Sequence, residues 1–360
     1  MVKKNKKTPS RIFTVSEWRD RMVESCKSKL SFSGKTRGDY RNWRGGFEKE
    51  FRKLLGLFPD PVPLQAEIIE RKVFPTYVRE KVVFNSEQFM SVPAWICSPK
   101  KNTETVKHPA VVCCHGHGLG KDALAGILSN GKSGVDYQKR LAVELAENGS
   151  VAIAPDWRCF GERREPPENL THPRDICDLA HVTVESFGYN LLTLDIWDGM
   201  KTVDYLETRD DVDRSRIGCV GCSFGGTMAM FLSAADSRIS AACVSGYLMA
   251  TGKCSFTGTC GSQTLPGLLA LGDRAEVAGL ICPRPLLIQI GEYDSTFPAC
   301  HALKEYERLQ RIYRAAGMAD RLGLDRFDGC HEIHLAPILK WFDRWFKNSM
   351  EVGGFARMEG

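Results

Sequence analysis

The segment Gly221-Cys222-Ser223-Phe224-Gly225-Gly226 sets a serine between glycines at Gly-X-Ser-X-Gly spacing. Arg216 to Val220 ahead of it is a buried-strand pattern, and Gly226 to Leu232 behind it reads as the start of a helix. A strand-to-helix turn this tight strains the serine and projects its hydroxyl, with glycines where side chains would collide. The following helix N-terminus favours developing negative charge. The chemistry implied is nucleophilic attack by Ser223 on an acyl carbonyl. A glycine-rich strand exit without chemistry would carry the same five residues, so the reading depends on partners elsewhere in the chain.

A serine hydroxyl is a weak nucleophile at neutral pH and needs a base, which in turn needs an orienting acid. Leu286 to Ile290 is a strand pattern, and the loop after it, Gly291-Glu292-Tyr293-Asp294, offers two acids. Asp294 lies farther into the loop and is the preferred acid. Glu292, closer to the strand, is the rival and suits solvent or an arginine. The base is expected after the last strand, in Phe327-Asp328-Gly329-Cys330-His331-Glu332-Ile333-His334. His331 is the expected base; His334 opens the next helix and suits capping or packing. An oxyanion hole completes the requirement: the N–H of Phe224 supplies one donor, and the N–H of His117, in the strand exit Cys114-His115-Gly116-His117-Gly118, is the expected second. His115 and His117 at i, i+2 also suggest a metal, but no carboxylate stands near before Asp122, and the glycines suit backbone donation better. No metal and no cofactor is expected.

The elements that must position these groups recur in one theme, a short continuous apolar strand followed by a loop and an amphipathic helix. Strands are expected at 110–114, 151–155, 217–221, 241–245, 286–290 and 322–327, after two earlier ones at 68–73 and 82–96. Helices are expected at 137–148, 191–207, 227–235, 300–316 and 335–346. Strands without alternation, separated by helices, indicate an α/β fold with a mostly parallel central sheet covered on both faces. Active sites in such sheets lie at the carboxyl ends of the strands. Before residue 68, Trp18, Met22, Cys26 and Leu30, then Trp43, Phe47, Phe51, Leu54 and Leu55, follow helical spacing. The expected division is a basic tail and helical N-terminal extension over 1–67, a catalytic domain over 68–350 and a C-terminal tail over 351–360.

Composition narrows the class of function. With 43% hydrophobic and 26% charged residues the chain can bury an extensive core, which argues against disorder or a fibre. The net charge of +5 is no nucleic-acid signature, because Lys3, Lys4, Lys6, Lys7 and Arg11 supply all of it ahead of the first acid, Glu17. Lysines near the N-terminus are followed by no signal-peptide apolar run, and no segment reaches the roughly 20 apolar residues of a membrane span. Several of the 14 cysteines sit inside apolar runs, where a reduced thiol is a small hydrophobe. The Cys219/Cys222 and Cys254/Cys260 spacings lack a second ligand pair for a structural zinc. A cytoplasmic protein acting on a small molecule, without nucleic-acid or membrane partners, is the expectation.

Five ordered motifs then carry a resemblance: His115-Gly116-His117-Gly118, the run Ala154 to Arg163, the turn at Ser223, Cys282-Pro283-Arg284-Pro285 and Gly329-Cys330-His331-Glu332. Over about residues 68–347 the chain resembles the dienelactone-hydrolase-like and acetyl-xylan-esterase-like branch of the α/β hydrolases. The resemblance implies cofactor-free hydrolysis of carboxylic esters through an acyl-enzyme, with Ser223, Asp294 and His331 in the family's catalytic positions. An acetylated carbohydrate is one candidate substrate. Dienelactone hydrolases themselves carry a cysteine nucleophile, so Ser223 argues against a lactone. A peptidase or thioesterase would use the same triad, and a noncatalytic binding protein retaining the fold is the alternative of another class. The long Gly- and Cys-containing connection between Tyr247 and Leu280 is read as a substrate wall. Asp156, Arg158 and Arg163 are read either as substrate contacts or as an ion-pair network.

Overall fold

Residues buried on both faces build the centre of the sheet. In the computed structural model, residues 11–100, 107–166, 176–252 and 259–351 are described. Nine strands form one sheet: β1 (Glu67–Val73), β2 (Tyr77–Glu87), β3 (Met90–Pro99), β4 (His108–Cys114), β5 (Val151–Pro155), β6 (Val212–Cys222), β7 (Ile239–Ser245), β8 (Leu286–Gly291) and β9 (Leu322–Phe327). Their order is β1-β2-β3-β5-β4-β6-β7-β8-β9. The pairs from β1 to β5 are antiparallel and those from β5 to β9 parallel.

The helices are α1 (Val15–Ser25), α2 (Arg37–Leu55), α3 (Lys121–Leu124), α4 (Leu141–Glu147), α5 (Ile176–Glu185), α6 (Leu191–Thr208), α7 (Phe224–Ala235), α8 (Leu268–Leu271), α9 (Arg274–Gly279), α10 (Ala299–Ala316) and α11 (Leu335–Glu351). Alternate residues of β4 divide the core. Val112 and Cys114 join the layer of α2, α6, α7, α9 and α10, while Val111 and Cys113 join that of α3, α4 and α11. A strand covered on both faces needs apolar side chains at every position, which explains its unbroken hydrophobic run. Every described cysteine is a free thiol, most of them buried in these layers. Among the described residues no helix is long and apolar enough to cross a membrane.

Two expectations shift. The single strand expected over 82–96 is a hairpin, with Glu87 paired to Met90 across Gln88-Phe89. Those turn residues carry neither glycine nor asparagine, and the polar run Asn85 to Gln88, which reads as a short interruption of one strand, is the sequence trace of the reversal. The helix expected from Tyr137 starts only at Leu141, because Lys139 and Arg140 hold positive φ of 52° and 45°, which no helix continues through. Tyr137 and Gln138 thereby become loop residues. Within the N-terminal segment, α2 is packed into the main core: Phe47 and Phe51 are fully buried, Phe51 lies 6.1 Å from Phe231 of α7, and the Tyr40 hydroxyl donates to the Cys282 carbonyl at 2.7 Å. Its start is set by a capping box between Thr36 and Asp39. By contrast α1 buries no residue. Lys3, Lys4, Lys6 and Lys7 and the tail beyond Glu351 lie outside the described residues.

With β4, β6, β7, β8 and β9 adjacent and parallel, their following loops emerge at one sheet edge. Those loops carry His117, Ser223, Asp294 and His331.

Candidate active site

Ser223 is the N-cap of α7, with φ 64° and ψ −124°. A non-glycine residue there is strained, and such strain is held only where the surroundings over-determine it. Crowding on both sides does so. A Cβ on Gly221 would come 2.3 Å from the Gly225 carbonyl oxygen, and one on Gly225 would come 2.0 Å from that of Cys114. The glycine spacing is therefore required by the close approach of β4, β6 and α7. The Ser223 N–H donates to the Ser245 carbonyl at 3.1 Å, tying the turn to the end of β7. Phe224, the first residue of α7, has no preceding helical carbonyl for its N–H. Neighbouring Cys222 is fully buried, and burial pushes its thiol up to about 12, so it stays protonated in the core.

The acid and base loops close against the same strand end. His331 Nδ1 lies 2.7 Å from Asp294 Oδ2, and the N–H groups of Thr296 and Phe297 each donate to Asp294 Oδ1 at 2.8 Å. Burial pushes the Asp294 carboxyl up, but the His331 ring and those N–H groups outweigh it and hold the group below its ordinary value. An ionised Asp294 only accepts hydrogen bonds, so the proton sits on His331 Nδ1 and the Nε2 lone pair is left available. The Ser245 hydroxyl donates to the Glu332 carbonyl at 3.3 Å, which brings the His331 loop to the residue that receives the Ser223 N–H. The rivals are placed elsewhere. Glu292 is half-buried and paired with Arg326 at 2.6 Å, and His334 Nδ1 lies 2.9 Å from Asp325.

Tyr137 joins the base to the strand exit after β4. Its ring stacks on His331 at 6.1 Å, its hydroxyl donates to the His117 carbonyl at 3.0 Å, and its own carbonyl accepts the Ile333 N–H at 2.9 Å. Between Tyr137 and Ser223 lies Gly116, where a Cβ would be 2.1 Å from the Tyr137 hydroxyl and 3.2 Å from Ser223 Cβ. Gln138 Oε1 accepts the Gly116 N–H at 2.8 Å. Spacing along the chain gave no reason to single out Tyr137 or Gln138.

The two histidines of the exit separate. His115 is fully buried; its Nε2 accepts the Trp157 N–H at 3.1 Å, so Nδ1 carries the proton and donates to the Gly116 carbonyl at 2.8 Å. Burial lowers its pKa to about 4, keeping this bracing imidazole neutral. The His117 ring instead lies against Phe160 and Phe224, with centroids at 5.3 and 5.4 Å, and its Nε2 is 3.2 Å from the Cys260 sulfur and 3.8 Å from that of Cys177. Contacts with Cys177 and His117 bring the Cys260 thiol down to about 5. This cluster was not legible from the Cys254/Cys260 spacing, and Cys254 and Gly258 lie outside the described residues.

Asp156, Arg158 and Arg163 form ion pairs within the protein. Buried Asp156 binds the fully buried Lys121 ammonium at 2.8 Å, while Arg158 and Arg163 both bind buried Asp198, at 3.0 and 2.8 Å. Of the two readings, the network is the one found.

The chain matches the family model described as "Abhydrolase family" over residues 2–307. YtaP of Bacillus subtilis (strain 168) is 30% identical over 291 residues, 76% of this chain and 88% of YtaP. Among solved structures, BF1801 from Bacteroides fragilis aligns with a TM-score of 0.73 at 18% identity, covering 91% of this chain and 85% of that one. An acetyl xylan esterase from Paenibacillus sp. R4 aligns at 0.57 and 18% identity, over 90% and 99% of the two chains. At such identities the structural likeness speaks for the fold, a sheet mostly parallel with helices on both faces.

Proposed function

The chain belongs to the Abhydrolase family, and from that membership we propose that it is a serine hydrolase that cleaves carboxylic esters through an acyl-enzyme on Ser223. The observation that carries the reading is the His331–Asp294 pair, whose His331 loop is bonded through the Glu332 carbonyl to Ser245, the residue whose own carbonyl receives the Ser223 N–H. In the proposed cycle His331 Nε2 takes the Ser223 proton as Oγ attacks the ester carbonyl. The N–H groups of Phe224 and His117 receive the oxyanion. Collapse breaks the ester C–O bond, and the departing alcohol takes the proton from His331. Water, deprotonated by His331 in turn, attacks the acyl-enzyme and releases the acid and free Ser223. Asp294 holds the tautomer and stabilises the imidazolium throughout.

The ester we assign is one on a carbohydrate, with acetyl as the acyl group. This rests on the motif resemblance and on the name of the Paenibacillus enzyme that shares the fold. Segment 259–264 is proposed as one wall of the substrate site, because buried Gln263 donates to Thr227 of α7 at 2.8 Å and Cys260 touches His117. A cytoplasmic location is proposed on the free state of the described cysteines.

Labelling with a fluorophosphonate probe tests the assignment. Wild type is expected to label, and Ser223→Ala and His331→Ala are not; labelling of Ser223→Ala would refute the nucleophile. Release of acetate from acetylated xylo-oligosaccharides, against turnover of an aminoacyl amide and a thioester, separates the carbohydrate esterase from a peptidase or thioesterase.

A further inference from the structure

The backbone N–H of His117 is assigned to the oxyanion hole, which leaves its ring to be explained. His117 Nε2, Cys177 Sγ and Cys260 Sγ all lie within 4.8 Å of one another, although they come from the exit of β4, the first turn of α5 and the N-cap of the 3-10 turn Gly261–Gln263. A lone thiol–imidazole contact would need one cysteine, and here two converge on one nitrogen.

The spacing fits a tetrahedral ion. Zinc bonds of about 2.3 Å to sulfur and about 2.0–2.1 Å to nitrogen imply N···S edges of about 3.5 Å. The observed separations, 3.2 and 3.8 Å, fall on either side of that value. Two thiolates and an imidazole without a carboxylate form a soft donor set, which selects zinc over magnesium or calcium. Supporting contacts hold the ligands in place. Asp178, next to Cys177, accepts the N–H of Gly261, next to Cys260, at 2.8 Å, which locks the two cysteine-bearing segments together. The buried Ser262 hydroxyl lies 2.9 Å from the Cys260 sulfur, and Gln263, 3.8 Å from the same sulfur, is anchored to Thr227. Such outer contacts orient ligands in metal sites.

We propose that His117, Cys177 and Cys260 form a zinc-binding site beside the candidate active site. Binding leaves two thiolates and a neutral imidazole on the ion, and any proton the ligand atoms still carry is released to solvent. Three protein ligands are enough for a zinc whose fourth position holds water. The ion would fasten the His117 turn to α5 and to segment 259–264, and so hold the peptide assigned to the oxyanion. The site itself does not depend on the hydrolase reading.

Metal content tests the proposal independently of activity. The full chain, expressed with zinc and passed through a desalting column, is expected to carry one zinc per chain by mass spectrometry. Cys177→Ser and Cys260→Ser are expected to bind it roughly tenfold or more weakly, whereas the exposed-site changes Cys26→Ser and Cys300→Ser retain it. Cobalt(II) added to metal-free wild type should give thiolate-to-cobalt charge-transfer absorption, a readout that requires no variant to fold. Zinc content in wild type no higher than in the Cys177→Ser/Cys260→Ser double variant, absence of the cobalt band, or a Cys177–Cys260 disulfide in protein purified without reductant overturns it.

Discussion

Replacing Asp294 by asparagine separates the orienting role of the acid from its contribution to the fold. One carboxylate oxygen accepts the N–H groups of Thr296 and Phe297, and the other faces His331 Nδ1. In Asp294→Asn only one atom can accept. Two backbone donors outnumber one ring donor, so the amide oxygen takes the Thr296/Phe297 position and the NH2 turns toward His331. Nδ1 must then accept, which moves the ring proton to Nε2, the atom that has to take the Ser223 proton. A wrong tautomer in a triad costs about 10⁴-fold in kcat, equivalent to about 5.5 kcal/mol of barrier. Stability should fall by only about 1–2 kcal/mol, since both backbone bonds persist with a neutral acceptor. Asp294→Ala instead strands the buried Phe297 N–H, at about 1–3 kcal/mol, and removes the acceptor of the part-buried Thr296 N–H, so it should be less stable than Asp294→Asn. Initial rates on p-nitrophenyl acetate and urea unfolding measure the two quantities. Glu292→Gln is the control: it breaks a solvent-screened surface pair with Arg326 and should leave kcat unchanged. Asp294 does not set the His331 tautomer if Asp294→Asn retains kcat within tenfold of wild type, or if Glu292→Gln falls as far.

Gly225→Ala places a methyl group 2.0 Å from the Cys114 carbonyl, backbone against backbone, and should cost about 3 kcal/mol or more in urea unfolding; a loss under about 1 kcal/mol would contradict the packing described for the turn. Phe47→Ala empties a fully buried site in α2 and should cost about 3–5 kcal/mol while unfolding stays a single transition. Separate melting of α2 ahead of an unmoved main transition would instead make residues 1–67 an independent extension. Burial lowers the His115 pKa from 6.5 to about 4. Between those values the unfolded chain binds a proton that the folded chain does not, so stability is complete above pH 6.5 and falls as pH drops toward 4, by about 3 kcal/mol. His115→Gln should flatten that part of the stability–pH curve measured by urea unfolding; an unchanged slope would show that another group causes it.

What could be read from the sequence was whatever short stretches of chain decide by themselves. Strand runs such as Val111 to Cys114 are apolar at every position because both faces are covered, and the Ser223 turn is written in five consecutive residues. The choice between Asp294 and Glu292 was harder, since both share one loop. It depends on which side chain turns inward to Thr296, Phe297 and His331 and which meets Arg326. The Gln88-Phe89 reversal and the loop at Tyr137 were not legible, because the first uses turn residues without glycine or asparagine and the second depends on positive φ at Lys139 and Arg140, residue types that do not announce it. Convergence over long separations left the least trace: Cys177 is 60 residues from His117, and Cys260 is 143 residues from it. A pair of cysteines two helices apart carries no periodicity and no motif, yet folding sets both against one imidazole. His117 therefore belongs to two arrangements, with its peptide in a turn whose glycine pattern was readable and its ring in a cluster that only the assembled sheet edge creates. A glycine-rich turn predicts where backbone donors will point, but where the attached ring goes is decided by what the rest of the chain packs beside it.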